Sequence, residues 1–233
     1  MNNETLVSLL ETDIAFPASL TAQIDPRIRL ARPEDAAHIV PLFYQIWEDM
    51  GIPLASIGRD RYCQAMENGI AHNLGRFGFS HVLVYTSDSD QVLGAIASFR
   101  GEDEKILTEQ TLQCLADLAI PTEGFLFDPE SRAGEYYLDS ICVDSAQRGQ
   151  GIGTALLRCH QLLAAFRRVP ITLNVDQANS GARALYQRLG FVAFDTCVLA
   201  RHPYDRMRYS PEQAQEAFST LVVPYSIVFD APF

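Results

Sequence analysis

Tyr137-Leu138-Asp139-Ser140-Ile141-Cys142-Val143, followed by Asp144-Ser145-Ala146-Gln147 and then Arg148-Gly149-Gln150-Gly151-Ile152-Gly153-Thr154, runs an apolar strand into a glycine-rich turn that opens a helix. The first turn of any helix leaves backbone N–H groups without intrahelical partners, and the aligned peptide dipoles add partial positive charge there. Glycines at 149, 151 and 153 remove the side chains that would hold an anion away from those groups. The turn therefore suits a phosphate or pyrophosphate, although glycines at such corners also serve plain tight packing. Two common nucleotide motifs do not fit. A P-loop needs Lys and then Ser/Thr after its last glycine, whereas Gly153 is followed by Thr154-Ala155-Leu156. A dinucleotide-binding turn has the spacing G-x-G-x-x-G and comes early in its βαβ unit; here the spacing is G-x-G-x-G, after several strands.

Downstream, 171–175 has the composition of a strand, 179–189 of a helix and 191–199 of another strand. Asn179 suits the N-cap of that helix and Gly190 its C′ position. Asn179, Ala182 and Tyr186 follow at i, i+3 and i+7, so one helix face carries a polar cap, a small residue and a phenol. Upstream, 28–31 is a short strand and Pro33-Glu34-Asp35 a helix start. The helix that follows carries an apolar stripe from Ala36 to Met50, with a kink expected at Pro41. A second helix covers about 58–73. The runs 81–86 and 92–100, joined by Ser87-Asp88-Ser89-Asp90-Gln91, form a hairpin, 105–119 is helical, and 121–134 is a long loop. A last helix over 211–221 and a last strand over 222–229 close the order, which describes a mixed α/β sheet.

Together the two segments resemble the GNAT family of N-acetyltransferases. The likeness rests on Arg148-x-x-Gly151-x-Gly153 followed by Asn179-x-x-Ala182-x-x-Leu185-Tyr186-x-x-x-Gly190-Phe191. Ile28-Arg29-Leu30-Ala31-Arg32-Pro33-Glu34-Asp35 is similar to that family's first strand and helix start. The resemblance covers 28–199, with Asp144-Ser145 standing where the family often has a residue and then proline. It implies a central, mostly antiparallel sheet with helices on both faces and a splayed strand pair at the cofactor site. On that pattern 1–27 is an extension, 102–134 an insertion, and 200–233 a segment completing the same domain.

The resemblance also implies chemistry: transfer of an acetyl group from acetyl-CoA directly to a primary amine. Cofactor contacts then fall to Ile141, Cys142 and Val143 on the strand, to Arg148, Gly149, Gln150, Gly151, Ile152, Gly153 and Thr154 in the turn, and to Asn179 and Tyr186. A backbone N–H of that strand stabilises charge developing on the acyl oxygen. Tyr186 protonates the departing thiolate, as a phenol with an ordinary pKa of about 10 can at neutral pH. Asp139 and Glu135 alternate with Tyr137 on the strand leading to the cofactor and are the candidate bases, although either carboxylate can equally be solvated or capping. No histidine is placed to activate Cys142 as a nucleophile. Tyr44, Trp47, Glu48 and Asp49 end the first long helix, where this fold shapes the acceptor site; the Glu102-Asp103-Glu104 run is a second acidic candidate. A domain that binds acyl-CoA without turnover, as a sensor or interaction module, is the alternative; an acid beside the sulfur favours an enzyme.

Composition narrows the partners. The 233 residues carry 18 Lys+Arg against 29 Asp+Glu, a formal charge of -11, and Lys105 is the single lysine. That balance argues against nucleic acid and anionic membranes and favours approach of a small-molecule or peptide amine, although negative charge more often serves solubility alone. Five cysteines without a C-x-x-C pair fit buried thiols and exclude the usual metal spacings. The amino terminus lacks the basic region of a signal peptide, and no apolar run reaches the ~20 residues of a membrane span, so a cytoplasmic location is expected. The assembly is open, a homodimer included.

Overall fold

The computed structural model describes residues 24–49, 58–122, 128–199, 201–210 and 212. Among them, seven strands form one sheet: β1 (Ile28–Leu30), β2 (Val82–Thr86), β3 (Val92–Arg100), β4 (Tyr136–Val143), β5 (Ile171–Asp176), β6 (Val192–Leu199) and β7 (His202–Tyr209). Their spatial order is β1-β2-β3-β4-β5-β7-β6. Every neighbouring pair is antiparallel except β4–β5, which is parallel and connected through a helix. The helices are α1 (Ala36–Asp49), α2 (Arg59–Ala71), α3 (Glu104–Asp117), α4 (Ile152–Arg167) and α5 (Ser180–Arg188).

Helices cover both faces of the sheet, so its central strands are apolar on both sides. On β2, Leu83 and Tyr85 join Leu156, Leu157 and Leu163 of α4 in one core, while Val82 and Val84 join Phe43 of α1 and Ile70 of α2 in the other. A two-part ion pair fixes how β1 enters α1. Arg29 donates to both oxygens of the buried Asp35 at 2.6 and 2.9 Å, and Asp35 Oδ2 also accepts from the backbone N–H of Arg32 at 2.7 Å. The helix then continues unbroken through Pro41.

A bulge in β4 decides where the site lies. Ala97 of β3 opposes Ser140 and the next residue, Ser98, opposes Leu138, so Asp139 has no counterpart on β3. One extra residue reverses the phase of a strand. Leu138 faces α4, and beyond the bulge Ile141 and Val143 face that side again, with Cys142 turned to the α1–α2 core.

β7 was not foreseen, because 202–209 carries Pro203 and a run of charges where a strand interior normally carries β-branched residues. It is nevertheless paired along its whole length between β5 and β6. Its buried charges are matched individually, Asp205 by Arg183 at 2.9 Å and Arg206 by Glu135 at 3.1 Å. The helix expected over 211–221 and the strand expected over 222–229 lie outside the described residues, apart from Glu212. No helix among the described residues is long and apolar enough to cross a membrane.

His160 of α4 is buried against the ring of Tyr136, 5.0 Å between centroids, and neither ring nitrogen has a hydrogen-bond partner among the described residues. Burial pushes its pKa down to about 3 from an ordinary 6.5. The folded state therefore refuses a proton that the unfolded chain accepts. The penalty is absent above about pH 6.5 and grows as pH falls toward 3, at up to about 1.4 kcal/mol per pH unit. His160→Leu removes both the unpartnered nitrogens and the titration. Denaturant unfolding should show the variant gaining stability relative to wild type as pH falls from 7 to 5; a constant difference would refute the assignment.

Candidate active site

The glycine-rich turn is built as an open cradle. Asp144 caps a single 3-10 turn over Ser145–Gln147, its Oδ1 accepting from the Ala146 N–H at 2.8 Å. Gly149 and Gly151 sit at φ +79° and +85°, the left-handed region that glycine alone enters readily. A Cβ on either would meet nothing within 4 Å, so the space in front of them is free. The Gly151 carbonyl accepts from the N–H of Ala155 at 2.9 Å, making Gly151 the N-cap of α4 and leaving the N–H groups of Ile152, Gly153 and Thr154 without intrahelical partners. Arg148 is turned the other way: its guanidinium donates to the Val143 carbonyl at 3.3 Å and to Gln45 of α1 at 2.8 Å. Gln150 is exposed and bonds Gln147. An open cleft of about 810 Å³ begins at Gly151 and Thr154 and is closed on its far side by 24–27 and Asp88.

The second arm is α5. Asn179 Oδ1 accepts from the Ala182 N–H at 3.0 Å, the N-cap read from the sequence. At the other end, Phe191 N–H bonds the Tyr186 carbonyl and Gly190 N–H bonds the Gln187 carbonyl, both at 3.0 Å, with Gly190 at φ +88°. This is a Schellman termination, and its usual apolar contact is present: the Phe191 and Tyr186 rings lie 5.7 Å apart. The motif that ends the helix thus also seats Tyr186. Burial pushes the phenol up to about 12, so it remains protonated through the neutral range.

Between the arms, β4 and β5 form a fork. They pair only at Tyr136↔Ile171, Tyr137↔Thr172 and Leu138↔Leu173, after which 139–143 has no partner on β5. The bulged Asp139 is the first residue of the open segment and Asn174 its counterpart on β5. Asn174 Nδ2 donates to the Tyr137 hydroxyl at 3.1 Å, and its Oδ1 is buried without a partner among the described residues. Asp139 accepts from Ser140 Oγ at 2.9 Å and pairs with Arg76 at 2.8 Å. The same Arg76 nitrogen lies 2.8 Å from Glu130 and 3.6 Å from Glu104. Burial raises the Asp139 pKa to about 6; Arg76 opposes the rise, and Glu130 and Glu104 add to it.

Residues 78–193 match the acetyltransferase (GNAT) domain family. The N-acetyltransferase from Staphylococcus aureus Mu50 superposes with a TM-score of 0.69 at 31% identity, over 78% of this chain and 99% of that one. A second acetyltransferase crystal structure gives 0.69 at 32%, over 78% and 98%. The chain belongs to the GNAT acetyltransferase family. A crystal structure of histone acetyltransferase HPA2 and related acetyltransferase from Corynebacterium glutamicum, 20% identical over 81% and 97% with a TM-score of 0.53, shares the fold. No curated protein matches the chain at a comparable level.

The other candidate residues of this acetyltransferase are distributed unevenly. Glu135 lies just before β4, where its Oε1 accepts from the Arg132 N–H at 2.6 Å and from Arg206 at 3.1 Å. Trp47 packs among Phe43, Tyr62 and Phe77, with ring centroids 5.2 to 6.2 Å away. Tyr44 is buried under the Arg59 guanidinium, 4.5 Å from its ring centroid. Glu48 is exposed, and the side chain of Asp49 lies outside the described ones. Glu104 is occupied by the loop before β4, accepting from the N–H groups of Glu130 and Ser131 and from Ser131 Oγ. Burial raises the Cys142 thiol, which keeps it from being a ready nucleophile. Among the described residues no group of His, Cys, Asp and Glu could hold a metal ion.

Sequence reasoning missed Arg76, Glu130 and Asn174. Each is an ordinary polar residue at an unremarkable position, and only the fold brings Arg76, from the α2–β2 connection, against the bulge of β4. The cap is testable without any ligand. Asn179→Ala should cost about 1 kcal/mol in denaturant unfolding, whereas Asn179→Ser, which keeps an accepting oxygen, should cost only a few tenths. Equal losses would mean the side chain serves something other than the cap.

Proposed function

We propose that this acetyltransferase binds acetyl-CoA in the fork between β4 and β5 and passes its acetyl group directly to a cationic amine. The observation that carries this reading is the fork itself, open from Asp139 onward with the glycine turn at its far end. The residues present fit the group: the unfilled space at Gly149 and Gly151 and the bare N–H groups of 152–154 suit a pyrophosphate. When bound, acetyl-CoA supplies an acyl carbon activated as a thioester.

Each element then has a task. The backbone of Ile141, Cys142 and Val143, unpaired on the side of β5, offers hydrogen bonds to the pantetheine arm and to the acyl oxygen as charge develops there. Asn179 Nδ2 is available to that arm, since Oδ1 holds the cap. Tyr186 delivers a proton to the sulfur. Asp139, whose pKa burial raises to about 6, accepts one from the incoming ammonium. Asp139 is favoured over Glu135 because it stands at the mouth of the fork, whereas Glu135 is joined to β7 through Arg206. The formal charge of -11 and the carboxylates Glu104, Glu130 and Asp139 favour a cationic acceptor, a small amine or a peptide amine, over nucleic acid.

A panel of amines with acetyl-CoA and detection of the released thiol tests the activity; no thiol release with any primary amine overturns it. Gly151→Val places a branched side chain in the cradle and a non-glycine residue at φ +85°. It should weaken acetyl-CoA at least tenfold by calorimetry, with about 1–2 kcal/mol of strain visible separately as lost stability. Unchanged affinity would remove the pyrophosphate from this turn. Tyr186→Phe keeps the ring against Phe191 and deletes the proton. It should lower kcat by roughly 10²–10⁴ with acetyl-CoA affinity nearly unchanged; an equal loss of affinity would make the hydroxyl a binding group instead.

A further inference from the structure

Among the described residues, Arg76 pairs with three carboxylates that come from three different parts of the chain. It lies between α2 and β2, Glu104 begins α3, Glu130 stands in the loop before β4, and Asp139 is the bulge of β4. The side chains are almost wholly removed from water: 3% exposed for Arg76, 9% for Asp139, 11% for Glu104 and 15% for Glu130. Arg76 Nη2 donates to Glu130 Oε1 at 2.8 Å and lies 2.8 Å from Asp139 Oδ2. Glu130 and Asp139 therefore share one guanidinium nitrogen, which carries two N–H donors. Glu130 is itself held in place: its Oε2 accepts from the Tyr137 hydroxyl at 2.7 Å, and its N–H donates to Glu104 at 2.8 Å.

From this arrangement we infer that Glu130 and Arg76 are positioning residues that set the proton affinity of Asp139, Arg76 by pairing with its carboxylate and Glu130 by sharing that guanidinium and adding negative charge beside it. The inference rests on the reading of Asp139 as the base. A lone buried aspartate paired with an arginine would be a carboxylate held firmly ionised, and so a weak proton acceptor. Burial first, and the second carboxylate beside it, oppose that pairing and leave Asp139 able to take up a proton near pH 6. The remaining groups that face it are Tyr62 from α2, Tyr137 and Ser140 from β4, and Glu104 from α3. Tyr62 and Tyr137 are both raised above their ordinary values, chiefly by burial, and so are uncharged. Arg76 itself loses by burial but gains more from Asp139, Glu130, Tyr137 and Glu104, so it stays charged throughout. Glu130 and Arg76 therefore act on Asp139 in opposite directions, which a merely structural role would not produce.

The test is carboxyl-carbon NMR of the full chain labelled at aspartate, with the Asp139 signal identified by its absence in Asp139→Asn. Glu130→Gln keeps the shape and an acceptor for Tyr137 but removes one charge. It should lower the Asp139 titration midpoint by about one pH unit. Arg76→Gln should raise it. Should that variant fail to fold with its carboxylates unpaired, Glu130→Gln carries the test alone. The acid limb of kcat/KM, followed with acetyl-CoA and the most active amine of the panel, should move with the midpoint. At a pH well below the midpoint, Glu130→Gln would then retain a several-fold larger fraction of its own plateau rate than wild type. A midpoint that ignores Glu130→Gln overturns the tuning. A midpoint that moves while the acid limb stays put overturns Asp139 as the base, and an active Asp139→Asn with an unaltered limb does the same.

Discussion

The architecture of this protein turns on two parallel strands that pair for only three residues. β4 and β5 share Tyr136–Leu138 register positions with Ile171, Thr172 and Leu173 and then separate. Backbone N–H and C=O groups in a protein interior need partners, and a sheet that opens in its middle leaves a row of them exposed on the inner edge of 139–143. Antiparallel pairing with β3 on one side and with β7 on the other keeps both strands rigid while the fork between them stays open. α4 begins with bare amides, and α5 carries a buried phenol in the same core. On the proposed function, an extended ligand with hydrogen-bonding groups along its arm and an anion at its end is the complement of this fork.

The bulge at Asp139 joins that geometry to the chemistry. In a regular strand a residue following Leu138 would have its partner on β3 and its side chain on a fixed face. Here the additional residue is freed from the ladder at the point where β5 departs. The surrounding charges are costly to bury. An ion pair in the interior commonly contributes little net stability, because desolvation offsets the Coulomb attraction, and a group with more carboxylates than cations is worse placed still. That such a cluster stands at the mouth of the fork, tied together from three separate elements, argues that it is kept for what it does to Asp139 rather than for folding stability.

Much of this was legible in the sequence because it depends on local rules. Glycines at 149 and 151 adopt the left-handed conformations the motif needs, Asn179 caps α5, and Gly190 ends it. Periodicity located the helices and the β2–β3 hairpin to within one or two residues at most ends. The strand at 202–209 was not legible, since its interior residues Asp205 and Arg206 are charged and become suited to a strand only through Arg183 and Glu135, distant in the chain. The same holds for Arg76 and Glu130. The aromatic residues Tyr44 and Trp47 show the converse: their place at the end of α1 suggested an acceptor site, and their actual neighbours are the core between α1 and α2.

The site draws on both bodies of packing, which bears on how it stays aligned. Tyr186, the α4 terminus and the α4-facing residues of β4 share one core, whereas Cys142 and the helices α1 and α2 share the other. Arg148 crosses between them, linking the Val143 carbonyl at the end of β4 to Gln45 of α1. Arg76 does the same at the other end of the open segment, linking Asp139 to the α2 side. Residues 139–143 are thus held by a guanidinium at each end and, from Ser140 onward, by β3 along one edge, while β5 leaves the other edge unpaired. A strand restrained in that way keeps its unpaired amides at fixed positions before a ligand arrives. Donors already in place need no reorganisation when charge develops on the acyl oxygen, and that is the condition under which backbone hydrogen bonds contribute most to transfer.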